Sequence, residues 1–204
     1  MPLIRRKTIP WMMVLGRAVV LGPMLVVIAF RAPAPEAWFG VLLLAGLLSD
    51  IFDGILARRW RTETSALRIA DSAADLVFYL CVLFAVVIRH WPVLRDRFPL
   101  LGALLALEAG RMLFDWAKYR RMASYHSYAA KAWGLLLAAA TLALLCFNRG
   151  EWLVTCALIW GIICDLEGLI MSLLLPEWAH DVKTLRRAFV LRRQMLAKAE
   201  MQVP

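Results

Sequence analysis

Four aspartates, Asp50, Asp53, Asp71 and Asp75, stand beside hydrophobic runs in the stretch SDIFDGILARRWRTETSALRIADSAADL, residues 49–76. Their spacing is helical. Asp50, Asp53, Gly54 and Ala57 fall at i, i+3, i+4 and i+7 and share one stripe, while Leu67, Asp71 and Asp75 step by four. Two antiparallel helices joined by a short loop can bring both stripes together, placing four carboxylates in one pocket. An aspartate at the bilayer centre costs about 2.5–3.5 kcal/mol on insertion scales, and less near an interface. Four together also repel each other at low dielectric. A positive partner is therefore required. Lysine or arginine would serve, but hard oxygen ligands without histidine or cysteine are the set that Mg²⁺, Mn²⁺ or Ca²⁺ prefers. Two divalent ions would balance four carboxylates, and such a pair suits phosphoryl chemistry. Gly54 and Ala57 leave room for a ligand to lie against the helix backbone beside them.

The elements that must position these residues are membrane helices. Of 204 residues 62% are apolar and 19% charged, with a mean hydropathy of +0.68, against roughly half and a quarter in a soluble domain. Six spans are expected, at about 11–30, 38–56, 69–89, 98–116, 132–148 and 152–175, each near the ~20 helical residues a bilayer core requires. The net charge of +9 could suit nucleic acid, but in a chain this apolar it reads as topology, so the placement of the charges matters more than their sum. Of 24 Lys/Arg, 17 lie in segments 1–10, 57–68, 117–131 and 176–204 and 5 in the alternate segments. That bias puts both termini and the aspartate-bearing loop in the cytoplasm. A cleaved leader is disfavoured, because the first apolar run is too long and carries Arg17. Cys81, Cys146, Cys156 and Cys164 read as small core residues, and His90, His126 and His180 lack metal-ligand spacing. The expectation is one all-α, polytopic domain over 1–204, with a core at about 11–175 and a cytoplasmic tail at 176–204. The segment 181–200 is expected to form an amphipathic helix on the cytoplasmic leaflet.

The run Asp50-x2-Asp53-Gly54-x2-Ala57-Arg58, followed by Leu67, Asp71 and Asp75, resembles the signature of the CDP-alcohol phosphatidyltransferase family. One position departs: the family has glycine where this chain has Leu67, which bears on the shape of the nucleotide pocket. IPWMMVLGRAVVLGP, with Arg17 and Pro23, is similar to the family's first helix, and SYAAKAW, with Lys131, to the opening of its fifth. The resemblance implies a six-helix core and a homodimer. It also implies transfer of a substituted phosphate from CDP-diacylglycerol or a CDP-alcohol to a small alcohol, with release of CMP. Two divalent ions, Mg²⁺ or Mn²⁺, would be held by Asp50, Asp53 and Asp71, with Asp75 as general base and a further metal contact. Nucleotide binding would fall to Asp50, Asp53, Gly54, Ala57, Arg58 and Asp71.

The acceptor is read from intramembrane charge. Arg17, Arg111 and Lys131, if they face the cavity, suit a phosphorylated acceptor. Glycerol 3-phosphate is favoured, as in a phosphatidylglycerophosphate synthase-like activity, over inositol phosphate, serine, ethanolamine or choline. Glu108 and Arg111 stand at i, i+3 and can pair with each other. Lys118-Tyr119-Arg120-Arg121 suits anionic lipid headgroups. The rival class is a carboxylate-lined cation transporter, which would place its ionisable groups near mid-membrane on broken helices. The preferred reading is a phospholipid-synthesis enzyme, multi-pass in the cytoplasmic (inner) membrane. Its site faces the cytoplasm, and its partners are lipids rather than nucleic acid.

Overall fold

Apolar runs punctuated by proline, glycine and charge become helices in the computed structural model, which describes residues 3–62, 64–121, 125, 127–179 and 182–200. His126 and His180 lie outside the described residues. In chain order these are α1 (Leu3–Gly16), a π-helical turn (Arg17–Leu21), α2 (Gly22–Arg31), α3 (Glu36–Trp60) and α4 (Ser65–Arg95). They are followed by α5 (Phe98–Tyr119), α6 (Tyr128–Phe147), α7 (Glu151–Leu174) and α8 (Leu185–Glu200). There is no strand among the described residues.

Five helical stretches are long and apolar enough to cross a membrane: Thr8–Arg31, Glu36–Trp60, Ser65–Arg95, Tyr128–Phe147 and Glu151–Leu174. The chain is a multi-pass membrane protein. The sixth expected span, about 98–116, does form a helix, α5, of 22 residues. Glu108, Arg111 and Asp115 sit in its middle and lower its apolar character. The segment 90–97, expected as a loop, is instead largely helical. The backbone of α4 kinks at His90 (φ −131°, ψ 35°), two residues before Pro92, and then resumes to Arg95. Proline cannot donate the hydrogen bond that an uninterrupted helix needs, but it is tolerated in the first turn of a new helical segment.

The residues pack as two units, 1–94 with 141–149, and 95–140 with 150–204. In the first, α1 and the π turn lie along α3. Trp11, Val14 and Ala18 fall on one stripe and pack with Ala57 of α3 and with Leu67, Ala70 and Ala74 of α4. The Ser49 hydroxyl donates to the Met13 carbonyl at 3.2 Å, tying α3 to α1. Two glycines set helix separations. A Cβ at Gly22 would meet the Cys81 sulfur at 3.2 Å, and one at Gly46 would overlap the Phe78 ring. The α3–α4 connection is short because both ends are capped. Arg61 adopts the left-handed conformation (φ 53°), the Thr62 N–H bonds to the Ala57 carbonyl at 3.0 Å, and Thr64 Oγ1 accepts from the Leu67 N–H at 3.1 Å.

In the second unit α5 packs along α7, and Gly161 admits Leu104 and Trp133 to within 3.0 Å of where its Cβ would stand. Trp133 Nε1 donates to the Ala157 carbonyl at 2.9 Å. The C-terminal carbonyls of α7 are satisfied from α5. Lys118 Nζ reaches Ser172 O at 2.6 Å and Leu175 O at 2.8 Å, and the Tyr119 hydroxyl donates to the same two oxygens at 2.7 and 2.8 Å. Tyr119, half-buried, and Lys118, though exposed, thus reach to the end of α7, while Arg120 stacks on Trp116 and Arg121 on Trp178. Ala188 of α8 is fully buried with Met171, Leu175 and Val182, so one face of α8 packs on the protein. Phe189, Val190 and Leu196 remain exposed.

Candidate active site at the carboxylate cluster

Helical spacing and the short capped turn deliver the expected aspartates to one place. Asp50 and Asp53 come from the cytoplasmic end expected for α3, and Asp71 and Asp75 from the facing turns of α4. Oxygens of Asp50, Asp53 and Asp71 all lie within 4.8 Å of one another. Asp53 is buried, whereas the side chains of Asp50, Asp71 and Asp75 are 43, 35 and 34% exposed.

Arg17 occupies the centre of this cluster. Its guanidinium is 1% exposed and forks across both helices. One terminal nitrogen lies 2.8 Å from Asp50 Oδ1 and 3.6 Å from Asp53 Oδ2; the other bonds Asp71 and lies 3.0 Å from Asp75 Oδ1. The π turn begins at this residue, with the Gly22 N–H reaching back five residues to the Arg17 carbonyl. Such one-residue widenings of a helix recur at functional sites. Two buried polar atoms here have no hydrogen-bond partner, Arg17 Nε and Asp53 Oδ2.

The donor set fits a divalent cation. Three carboxylates converge from two helices, one presents a buried oxygen that has only a 3.6 Å ion pair to Arg17 and no hydrogen bond, and no histidine or cysteine belongs to the group among the described residues. Beside the cluster opens a cavity of about 280 Å³ lined by Val14, Asp53, Gly54, Ala57, Arg58, Leu67 and Asp71. Gly54 and Ala57 form its small-residue wall. The Arg58 guanidinium lies over Gly54, 3.4 Å from where a Cβ would stand. Leu67 is 7% exposed and fills space against Val14 and Ala57 at the cavity edge. Val14 escaped the reading of the sequence; its place one turn before Arg17 on the Trp11–Ala18 stripe is the signal that could have found it.

The remaining expected site residues lie in the second unit. Arg111 Nε bonds Asp165 Oδ1 at 3.1 Å, and its terminal nitrogens stand 3.7 Å from Glu108 and from Asp115. Gly168 makes room for its stem, since a Cβ there would lie 3.1 Å from Arg111 Cδ. Asp115 is 1% exposed, and buried oxygens of Asp115, Asp165 and Glu167 lack hydrogen-bond partners. A cavity of about 100 Å³ is bordered by Glu108, Arg111, Tyr125, Ser127, Trp133 and Asp165, among others. Burial pushes the Tyr125 phenol above its ordinary range, so it stays protonated and shares a hydrogen bond with Ser172 Oγ at 3.2 Å. Lys131 Nζ lies over the Tyr128 ring, 5.8 Å from its centre.

A cardiolipin synthase (CMP-forming) from Streptomyces coelicolor is 29% identical over 136 residues, which is 65% of this chain and 60% of that protein's length. No solved structure gives a significant match. The family model described as CDP-alcohol phosphatidyltransferase matches residues 7–165, a range that takes in Arg17, all four aspartates and the whole α3–α4 turn. The chain belongs to the CDP-alcohol phosphatidyltransferase family.

Proposed function

We propose that this protein is a phospholipid-synthesis enzyme. It transfers a phosphatidyl group from CDP-diacylglycerol to a small alcohol, glycerol 3-phosphate first, and releases CMP. The observation that carries this reading is the convergence of four aspartates beside a cavity walled by Gly54, Ala57 and Arg58. A cation transporter has no use for a side cavity walled by Gly54, Ala57 and Arg58 at one end of its carboxylates.

Asp50, Asp53 and Asp71 would hold Mg²⁺ or Mn²⁺, with Asp75 as a further contact. When bound, such ions supply Lewis acidity that offsets negative charge on the leaving phosphate. The chain's own residues do the rest. Gly54 and Ala57 let the nucleotide approach the α3 backbone, and Arg58, exposed above Gly54, meets phosphate oxygens with a planar fork of donors. Asp75 has one oxygen turned to Arg17 and a side chain one-third exposed, so it remains accessible to an acceptor. Its carboxylate takes the acceptor's hydroxyl proton as that oxygen attacks phosphorus. The site works at the cytoplasmic face of the inner membrane, α5 completes a six-span core, and the exposed residues of α8 rest on the leaflet. The protein acts as a homodimer.

The relative's CMP-forming synthesis of cardiolipin favours a second reading, in which the acceptor hydroxyl is carried by a lipid. One experiment covers both. Purified protein receives Mn²⁺ or Mg²⁺ and labelled CDP-diacylglycerol, with glycerol 3-phosphate, inositol phosphate, serine, ethanolamine, choline or phosphatidylglycerol. CMP release above the acceptor-free rate identifies the acceptor. No CMP release with any of them, together with metal flux into liposomes, replaces the enzyme by the transporter.

A further inference from the structure

The carboxylate cluster already contains a cation, and it belongs to the chain. Arg17 is the largest fully buried side chain in the described structure. Both of its terminal nitrogens are committed, one to the α3 pair Asp50 and Asp53, the other to the α4 pair Asp71 and Asp75. An ion bridging the two helices needs those carboxylates within about 2.0–2.6 Å of itself. The guanidinium fills the space between them. It satisfies the cluster incompletely, since one positive charge faces four carboxylates while Asp53 Oδ2 and Arg17 Nε remain buried without hydrogen-bond partners. Such a pairing holds two helices together in the absence of metal, yet leaves a strong residual attraction for more positive charge.

We infer that Arg17 and the divalent ion are mutually exclusive occupants of the cluster, and that metal binding releases the Arg17 guanidinium into the adjacent cavity. The way out is short. Asp53 and Asp71, which already touch the guanidinium, also line that cavity, as does Val14 one turn earlier on the same helix. Because the released fork would point where the proposed function seats phosphate oxygens, this last step rests on that reading. The exclusion itself does not. Arg17 is thus a positioning residue that sets the metal concentration at which the site assembles.

Two measurements on metal alone test it. The first is Mn²⁺ binding to the full-length protein in detergent, by calorimetry or electron paramagnetic resonance, for wild type and Arg17→Met. Removing the resident competitor, and with it one positive charge beside the ion, tightens Mn²⁺ binding by about tenfold. Unchanged or weaker binding in a variant that elutes and melts like wild type overturns the inference. The second uses wild type only and stands even where the variant fails to fold. Phenylglyoxal modification of Arg17 is followed by peptide mass spectrometry, with Arg95, exposed and outside the cavity, as internal reference. Without metal Arg17 is protected; saturating Mn²⁺ raises its labelling several-fold relative to Arg95. Labelling of Arg17 that does not rise with Mn²⁺, or absence of any Mn²⁺ binding, overturns the inference. Neither readout involves donor or turnover. A protein that binds Mn²⁺ and frees Arg17 but releases no CMP therefore counts against the enzyme reading alone.

Discussion

The Phe78 ring stands where a single methyl group on Gly46 would have to go. This contact lies one helical turn from Asp50 on α3 and from Asp75 on α4, so it sets how closely the two helices approach just beneath the carboxylates. Alanine is favoured over glycine in a helix interior by about 1 kcal/mol, yet overpacking a filled contact costs about 1–3 kcal/mol. Gly46→Ala is expected to lower the melting temperature in detergent and to weaken Mn²⁺ binding. Gly46→Ala combined with Phe78→Leu should recover both. A single variant that melts and binds metal like wild type would show that the cluster does not depend on this contact.

Asp75 and Asp50 differ in what each faces. Both pair with Arg17, but Asp50 belongs to the three-carboxylate set that lies within 4.8 Å, and Asp75 does not. Asp75→Asn should therefore lower turnover by about 10²–10⁴-fold, the range for loss of a general base, while donor and Mn²⁺ affinities stay within a few-fold. Asp50→Asn should weaken both affinities. Turnover of Asp75→Asn equal to wild type, measured as CMP release, removes the base assignment.

The aspartate stripes could be read from spacing because a helix maps sequence offset directly onto a face. Arg17 could not be placed that way. It meets Asp50 across 33 residues and Asp71 across 54, and no local pattern encodes a partner that distant. Reading the chain for charge alone left open whether an arginine or a metal neutralises the cluster; the fold supplies an arginine and still leaves oxygens suited to metal. The same limit applies to Lys118. In sequence it joins a basic run beside a membrane, which suits lipid headgroups, but α5 packing along α7 brings it to carbonyls some fifty residues away. The π turn that begins at Arg17 has no signal in local composition. A helix can restart at a proline, so the gap expected between the spans 69–89 and 98–116 became a kink near Pro92.

Leu67 occupies the place where the family has glycine, and its side chain packs against Val14 and Ala57 at the mouth of the cavity. Truncation to Leu67→Gly removes a buried side chain and adds a glycine in the first turn of α4. The expected cost is about 2–5 kcal/mol from the cavity, with a larger nucleotide pocket in return. CDP binding, measured by calorimetry, should change by more than threefold while the Mn²⁺ affinity of the free protein holds. Identical CDP affinity would mean that the nucleotide never reaches this wall.

Lys118 offers a test of helix capping against lipid binding. Its ammonium donates to Ser172 and Leu175 carbonyls at the end of α7, and Tyr119 bonds the same oxygens. Lys118→Met keeps the length and apolar stem but removes the donors, leaving Tyr119 as partial compensation. Hydrogen bonds from a charged group contribute about 1.5–3 kcal/mol, so a loss of about 1–2 kcal/mol is expected in the presence of that second donor. The effect should appear as a lower melting temperature in a neutral detergent containing no anionic lipid. Exposed Arg121, stacked on Trp178, provides the contrast. Arg121→Met should leave melting in neutral detergent within error of wild type and reduce binding to anionic vesicles. If Lys118→Met instead melts like wild type and loses only vesicle binding, the α5–α7 cap contributes nothing to stability and the basic run acts through lipid alone.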